Sequence, residues 1–385
     1  MLPTVRCMCG EMVRISCRST HPHPPIIPLP AFDVDAPHCN GVYPPNMNGD
    51  NASCFRHAWD TPEARARLLA ACTIPGREVT RIFLAGIRDR IRHGNGKNAD
   101  GVCDPALMAL LDALHAKGIA VYGLFAASNE AFSEQDFVGD LNLFNRNCGS
   151  ANFDGASVNN EYFSSIARCG AGNERAQRTL LDNLSNTANN AAPLPLHFSI
   201  SWNWWCCDCA RSTYTERLLE WNGVTKNVVG HMIDTVDSVD VQVAWNTGNV
   251  MADRATNPYQ YWNSHKLGQT STTALYVLAY TNPVSDCRLS FSPHVLGATS
   301  ASDTCATGDR TEEGMFTAFD EIESELPNAI GAIHFMDGVY SSGMSGWPRH
   351  VTNGSHCSAI RWGRACRRDP DCSWARSSRT CNARS

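Results

Sequence analysis

No run of eighteen apolar residues occurs anywhere in the 385-residue chain, so no segment reads as a membrane-spanning helix. An excess of one charge is also missing. Lys and Arg number 32 against 38 Asp and Glu, and the net charge of -6 gives no reason to expect nucleic acid as a partner. The first twenty residues, MLPTVRCMCGEMVRISCRST, lack the apolar stretch of a secretory signal. A glycine-rich phosphate loop is absent where a dinucleotide fold would place one. The first apolar run is followed by Asp60-Thr61-Pro62 rather than by G-x-G-x-x-G. Charged residues make up only 18% of the chain and hydrophobic ones 43%, an ordinary balance that allows a sizeable core.

Cysteine is what the chain has in excess. Its 18 cysteines are even in number and dispersed from Cys7 to Cys381, which favours disulfides formed in an oxidising compartment. The triplets Asn51-Ala52-Ser53, Asn183-Leu184-Ser185 and Asn353-Gly354-Ser355 fit a secreted glycoprotein. The cysteines outweigh the missing signal, and the expected location is extracellular. Cys206, Cys207 and Cys209 flank Asp208, but no spaced C-x2-C pair answers them, so disulfides suit them better than zinc. Neither a metal nor another cofactor is expected.

Residues 1–53, with HPHPPIIPLP at 21–30, read as an irregular segment. From 54 to 345, short apolar runs alternate with helical patterns. Strands are expected at 54–59, 79–87, 119–126, 153–161, 196–202, 239–245, 274–280 and 329–336. Helices are expected at 61–72, 104–118, 173–188, 214–223 and 314–326, the first two opening on Thr61-Pro62 and Asp104-Pro105. Eight strands alternating with helices over about 290 residues is the arithmetic of a (β/α)8 barrel, an α/β fold. The competing arrangement is a doubly wound open sheet. Residues 346–385 pack cysteines into a basic stretch and read as a small disulfide-stapled appendix.

Strand four carries the chemistry: Phe153-Asp154-Gly155-Ala156-Ser157-Val158-Asn159-Asn160-Glu161-Tyr162. Alternation turns Ser157, Asn159 and Glu161 to one face, and in a barrel the C-terminal ends of the strands form the mouth. This stretch resembles the signature of family 18 glycoside hydrolases, the chitinases, Phe-Asp-Gly-x-Asp-x-Asp-x-Glu-Tyr. Phe153, Asp154, Gly155, Glu161 and Tyr162 match it, while Ser157 and Asn159 stand where the family has Asp. The resemblance implies that Glu161 protonates the glycosidic oxygen and that Asn159 orients the substrate's 2-acetamido group, whose carbonyl oxygen is the nucleophile. Asp154, Ser157 and Tyr162 would then contact substrate. The Asn-x-Glu form is similar to that of family 85 endo-β-N-acetylglucosaminidases. On strand six, Val243-Ala244-Trp245-Asn246 resembles the family's Met-x-Tyr-Asp, so Trp245 and Asn246 would line the reacting subsite. On strand eight, Phe335 is the nearest equivalent of the family's flooring Trp, and Asp337 follows it.

Asn160-Glu161 also matches the strand-four Asn-Glu of retaining glycosidases that use two Glu residues. That clan needs a second Glu at the end of strand seven, about 5 Å from the first, and LAYTNPVSD offers none. After strand five, Trp202 and Trp204 are candidates for stacking on sugar rings. Arg88 and Asp89, in the loop after strand two, read as solvated, and His57, His197 and His334 as hydrogen-bonded strand residues. The expected partner is a carbohydrate. Two classes of function follow: a hydrolase of N-acetylglucosamine-containing glycans, and a non-catalytic carbohydrate-binding barrel. A structural extracellular protein is the third and weakest.

Overall fold

The computed structural model describes residues 27–28, 62–73, 79–85, 87–91, 103–127, 134–166, 173–207, 215–270, 272–280, 287–291, 312–334, 372–374 and 381–383. Eight parallel strands form one sheet: β1 (Ile27–Pro28), β2 (Arg81–Leu84), β3 (Ala120–Ala127), β4 (Gly155–Asn160), β5 (Leu196–Ser201), β6 (Ser238–Gln242), β7 (Ala274–Tyr280) and β8 (Ile330–His334). Each pairs with the next in sequence order, and β1 lies beside β8. Helices follow the strands: α1 (Pro62–Cys72), α2 (Arg88–Ile91), α3 (Pro105–His115), α4 (Glu134–Asn147), α5 (Tyr162–Ile166), α6 (Glu174–Ala191), α7 (Val228–Thr235), α8 (Gly248–His265) and α9 (Glu312–Glu325). A doubly wound sheet would reverse its strand order at a switch point, and this one does not.

Side chains inside the sheet show how far it curls. The ring of Phe83 on β2 is 4.3 Å from that of His197 on β5 and 6.1 Å from that of Tyr276 on β7. At about 4.8 Å per strand, a flat sheet would hold β2 and β5 roughly 14 Å apart, and β2 and β7 farther still. Only a sheet rolled into a barrel brings these rings together. Alternate residues divide accordingly. Phe83, Tyr122, Tyr276, Leu278 and Ala332 pack inside, while Ile82, Val121, Val158, Val241 and Val277 meet the helices.

The local sequence accounts for the elements it starts and stops. Asp104 caps α3 by accepting from the backbone N–H groups of Ala106 and Leu107, each at 2.9 Å, with Pro105 at the first helical position. Leu107, Leu110, Leu111 and Leu114 form its buried stripe. Gly118, at φ +72°, turns the chain into β3. A disulfide, Cys103–Cys148, joins the start of α3 to the end of α4. Cys206 and Cys207 are disulfide-bonded as well, which removes their thiolates from metal chemistry. Cys72 keeps a free, buried thiol whose pKa burial pushes up to about 12.

Several expectations are corrected. Of the helix expected at 214–223, the described residues 215–223 are not helical. Leu218–Trp221 and Val224–Asn227 pair as an antiparallel hairpin, and its Asn222-Gly223 turn has φ of +50° and +75°. Two positive φ values at Asn-Gly mark a type I′ turn, so turn chemistry overrode the helical pattern. Helices α4, α7 and α8 were not expected. Ile27–Pro28, within the stretch read as irregular, pairs in parallel with Ile82 and Phe83. The strand expected at 54–59 lies outside the described residues. Asn183, one of the three sequon asparagines, is buried in α6 and accepts from Gln135 Nε2 of α4 at 2.7 Å, so its amide is not displayed for a glycan. Asn51 and Asn353 lie outside the described residues. Near the C-terminus, Cys372–Trp374 pairs antiparallel with Cys381–Ala383. Among the described residues, no helix is long and apolar enough to cross a membrane.

Gly155 opens β4 because Tyr122 needs its space. A Cβ built there would lie 2.4 Å from the Tyr122 ring. Gly155→Ala is expected to cost about 1–3 kcal/mol through overpacking, measured as a fall in the urea unfolding midpoint with an unchanged m-value.

Candidate active site

Polar groups are layered along the barrel interior, among apolar residues such as Phe83, Leu278 and Ala332. At the N-terminal end, Arg81 places its guanidinium 4.4 Å from the Tyr122 ring centroid and donates to the Tyr276 hydroxyl. Burial pushes the Tyr122 hydroxyl up to about 12, so it stays protonated. One layer higher, His197 Nε2 is 2.8 Å from Asp240 Oδ2 and His197 Nδ1 is 2.9 Å from Ser238 Oγ. Ser199 Oγ donates to the same Asp240 oxygen at 2.6 Å. His197 is fully buried, and burial lowers its pKa against the opposing pull of Asp240. The ring is therefore neutral, with Nε2–H donating to Asp240 and Nδ1 accepting from Ser238.

That lowered pKa has a consequence for stability. Below the ordinary histidine value of about 6.5 the unfolded chain takes up a proton that the folded ring refuses. Stability is then complete above that pH and falls as pH drops through it, by up to about 1.4 kcal/mol per pH unit. His231, whose pKa burial also lowers, acts in the same direction. Thermal unfolding between pH 7 and 5 should show this fall, and His197→Gln should make it shallower, leaving the part due to His231.

The third layer lies at the C-terminal ends of the strands. Asn159, the last inward residue of β4, accepts at Oδ1 from Gln242 Nε2 at 3.1 Å. Its Nδ2 donates to Glu161 Oε1 at 3.4 Å. Gln242 is the last residue of β6, and its Oε1 accepts from the hydroxyl of Tyr280, the last residue of β7, at 3.3 Å. Burial first, then the charges of Glu161 and Asp240, push the Tyr280 hydroxyl well above its ordinary value. Tyr280 is thus a lasting donor beside a carboxylate. Glu161 itself is exposed at the rim, in the turn that leaves β4. One solvent-facing carboxylate, two amides and a phenol at the C-terminal ends of β4, β6 and β7 make a set that can donate a proton and grip an amide-bearing ligand.

The residues expected from the sequence divide. Glu161 and Asn159 stand together at the mouth. Ser157 shares their inner face one step deeper and is 1% exposed. Asp154 is corrected. It precedes β4 at the opposite end of the barrel, accepting from the Val121 N–H at 2.7 Å and lying 2.9 Å from His115 Nε2. Five residues of strand separate it from Asn159, roughly 16 Å, so it braces the barrel floor and cannot share a ligand with Glu161. Tyr162 begins α5, and its backbone N–H donates to Asn160 Oδ1 at 2.9 Å while its ring packs on the core. Asn160 points outward and donates its amide to Glu134 of α4. The Asn of the two-Glu clan has no counterpart in the mouth.

Trp204 is also corrected. It is buried against Phe163, with ring centroids 4.8 Å apart, and is unavailable to a sugar. Trp202 and Trp245 are half-buried, and both meet the guanidinium of Arg254, whose Cζ is 4.4 Å and 4.1 Å from their ring centroids. Asn246 is 1% exposed and lies below the surface a substrate would touch. The strand expected at 239–245 ran three residues too far, and the matched residues Val243–Asn246 lie beyond its observed end. β6 ends at Gln242, and the chain then turns through Ala244 at φ +46°. Gln242 and Tyr280 were missed, although each is the last inward residue of its strand, and that position alone could have found them. Phe335 and Asp337 lie outside the described residues.

No protein-family model matches the chain, and no curated protein sequence is similar to it. Among solved structures it is similar to a Rhizomucor miehei β-1,3-glucanosyltransferase in complex with laminaritriose, at 12% identity over 72% of this chain and 81% of that one, TM-score 0.39. It is similar also to a GH18 chitinase from Pseudoalteromonas aurantia, at 9% identity over 74% of this chain and 94% of that one, TM-score 0.38. A third is the xylanase and α-amylase inhibitor protein XAIP-II from Scadoxus multiflorus, at 12% identity over 70% and 86%, TM-score 0.34. At TM-scores below 0.5 these likenesses add nothing to what the strand order and the mouth geometry establish.

Proposed function

We propose that the protein is a secreted glycoside hydrolase acting on N-acetylglucosamine-containing glycans with the substrate's acetamide as nucleophile. The observation that carries this reading is the linked set Glu161–Asn159–Gln242–Tyr280 at the mouth. Glu161 donates its proton to the glycosidic oxygen as the bond to the leaving sugar breaks. The acetamide carbonyl oxygen, oriented by Asn159, closes on the anomeric carbon from the other face. Water then opens the bicyclic intermediate, with Glu161 now taking the proton. A second carboxylate is not required. Among the described residues, the other acid facing the interior near the mouth, Asp240, sits a layer lower and is engaged by His197 and Ser199.

One observation favours a second reading, a non-catalytic carbohydrate-binding barrel. Both ends of the Asn159 amide are already hydrogen-bonded within the protein, to Glu161 and Gln242, where a chitinase-like site would offer a carboxylate. Incubation with chitin oligomers and with a high-mannose N-glycan separates the two. Cleavage in the wild type supports the hydrolase. Binding without cleavage supports the second reading, and no binding to either glycan removes both.

A further inference from the structure

Beside the mouth network lies a cationic corner that neutral chitin does not require. Trp202 follows β5, Trp245 follows β6, and Arg254 in the second turn of α8 reaches between them. A guanidinium carbon 4.1 Å from an indole centroid must lie over the ring face, because the ring's own edge atoms block an in-plane approach that close. Arg288, in the short helical turn Cys287–Leu289, brings a second guanidinium to 5.3 Å from the same Trp245 centroid. That turn is tied to the mouth, because Ser290 Oγ and the Phe291 N–H both donate to the carbonyl of Tyr280, at 3.1 and 2.8 Å.

Two like charges converge on one indole at the C-terminal face. Arg254 is half-buried, and among the described residues no carboxylate forms an ion pair with it. Its polar contact is a long one, 3.4 Å from Nη1 to the Val243 carbonyl. Burial works against its charge, and the neighbouring Arg288 adds to that effect, while the exposed Asp253 opposes it only in part. A half-buried arginine is ordinarily matched by an anion. The Arg254 guanidinium lies against two aromatic faces, an arrangement that leaves N–H groups at its edge able to meet the paired oxygens of a carboxylate or sulfate.

We propose that this corner is an anionic subsite, so that the glycan taken at the mouth carries a carboxylate or sulfate on a sugar neighbouring the one at Glu161. The proposal rests on the carbohydrate reading given above and narrows its substrate class. It also revises the role of the two tryptophans, which hold the arginines in place rather than serving as open platforms for sugar rings.

Calorimetric titration at low salt with three tetrasaccharides tests it. Hyaluronan tetrasaccharide carries carboxylates, keratan sulfate tetrasaccharide carries sulfates, and chitotetraose is neutral. At least one acidic ligand should bind about tenfold more tightly than chitotetraose, and which of the two does so identifies the oxyanion. The preference should collapse in Arg254→Gln and in Arg288→Gln. Arg288 is exposed, so the second variant keeps the test valid if the first folds poorly. Equal binding of all three ligands, or an acidic preference unchanged in Arg288→Gln and in folded Arg254→Gln, overturns the anionic subsite and leaves the carbohydrate reading intact. Absence of binding to all three overturns both.

Discussion

Glu161→Gln should stop turnover while the protein still folds and still binds its glycan. Positioned general acids contribute about 10²–10⁴-fold, and in this mouth no other exposed carboxylate among the inward residues of the described strands can replace Glu161. The amide keeps the shape of the side chain and can still meet Asn159, but it has no proton to give to a leaving oxygen. Because Glu161 is exposed at the strand end, its replacement should leave stability within about 0.5 kcal/mol. Product analysis by mass spectrometry on a chitin oligomer, with calorimetric binding alongside, checks both halves. A variant that cleaves at more than a tenth of the wild-type rate contradicts the assignment.

Asp240→Ala should be the most damaging single change inside the barrel. One carboxylate oxygen accepts from both His197 and Ser199, at 2.8 and 2.6 Å, and neither donor has access to water. Removing the acceptor leaves two buried donors unmatched and opens a void between β5 and β6. Breaking a buried charged partnership of this kind costs about 3–5 kcal/mol, and in a domain this large the melting temperature should fall by roughly 10 °C. The double change His197→Leu with Asp240→Leu should be less harmful than the sum of its parts, because it removes donor and acceptor together. A loss below about 1 kcal/mol for Asp240→Ala would mean that water reaches this layer.

The barrel was legible because its strands are short apolar runs separated by capped helices, and β7 was read to the residue. Asp104-Pro105 announced α3 because a capping carboxylate and a donor-less nitrogen suit a helix start and little else. The failures share a physical cause. The 218–227 hairpin was hidden by a helical spacing of Leu218, Leu219 and Trp221, although Asn222-Gly223 carried the stronger local signal. Asp154 looked functional because it sits in a recognisable motif, yet distance along the strand places it at the far end of the barrel. Trp204 and Trp202 are two residues apart in sequence, and a single turn of 3-10 helix sends one into the core and the other to the rim. Arg254 could not be found by spacing, because it meets Trp202 and Trp245 only once the sheet has closed.

The central claim is that an acetamido sugar sits between Asn159 and Glu161 and attacks its own anomeric carbon. A chitobiose thiazoline, in which sulfur stands for the oxygen of the bicyclic intermediate, tests that claim most directly through its dissociation constant. Tight binding to the wild type that weakens by about tenfold or more in Asn159→Ala is the predicted result. No binding, or binding that Asn159→Ala leaves unchanged, would contradict it.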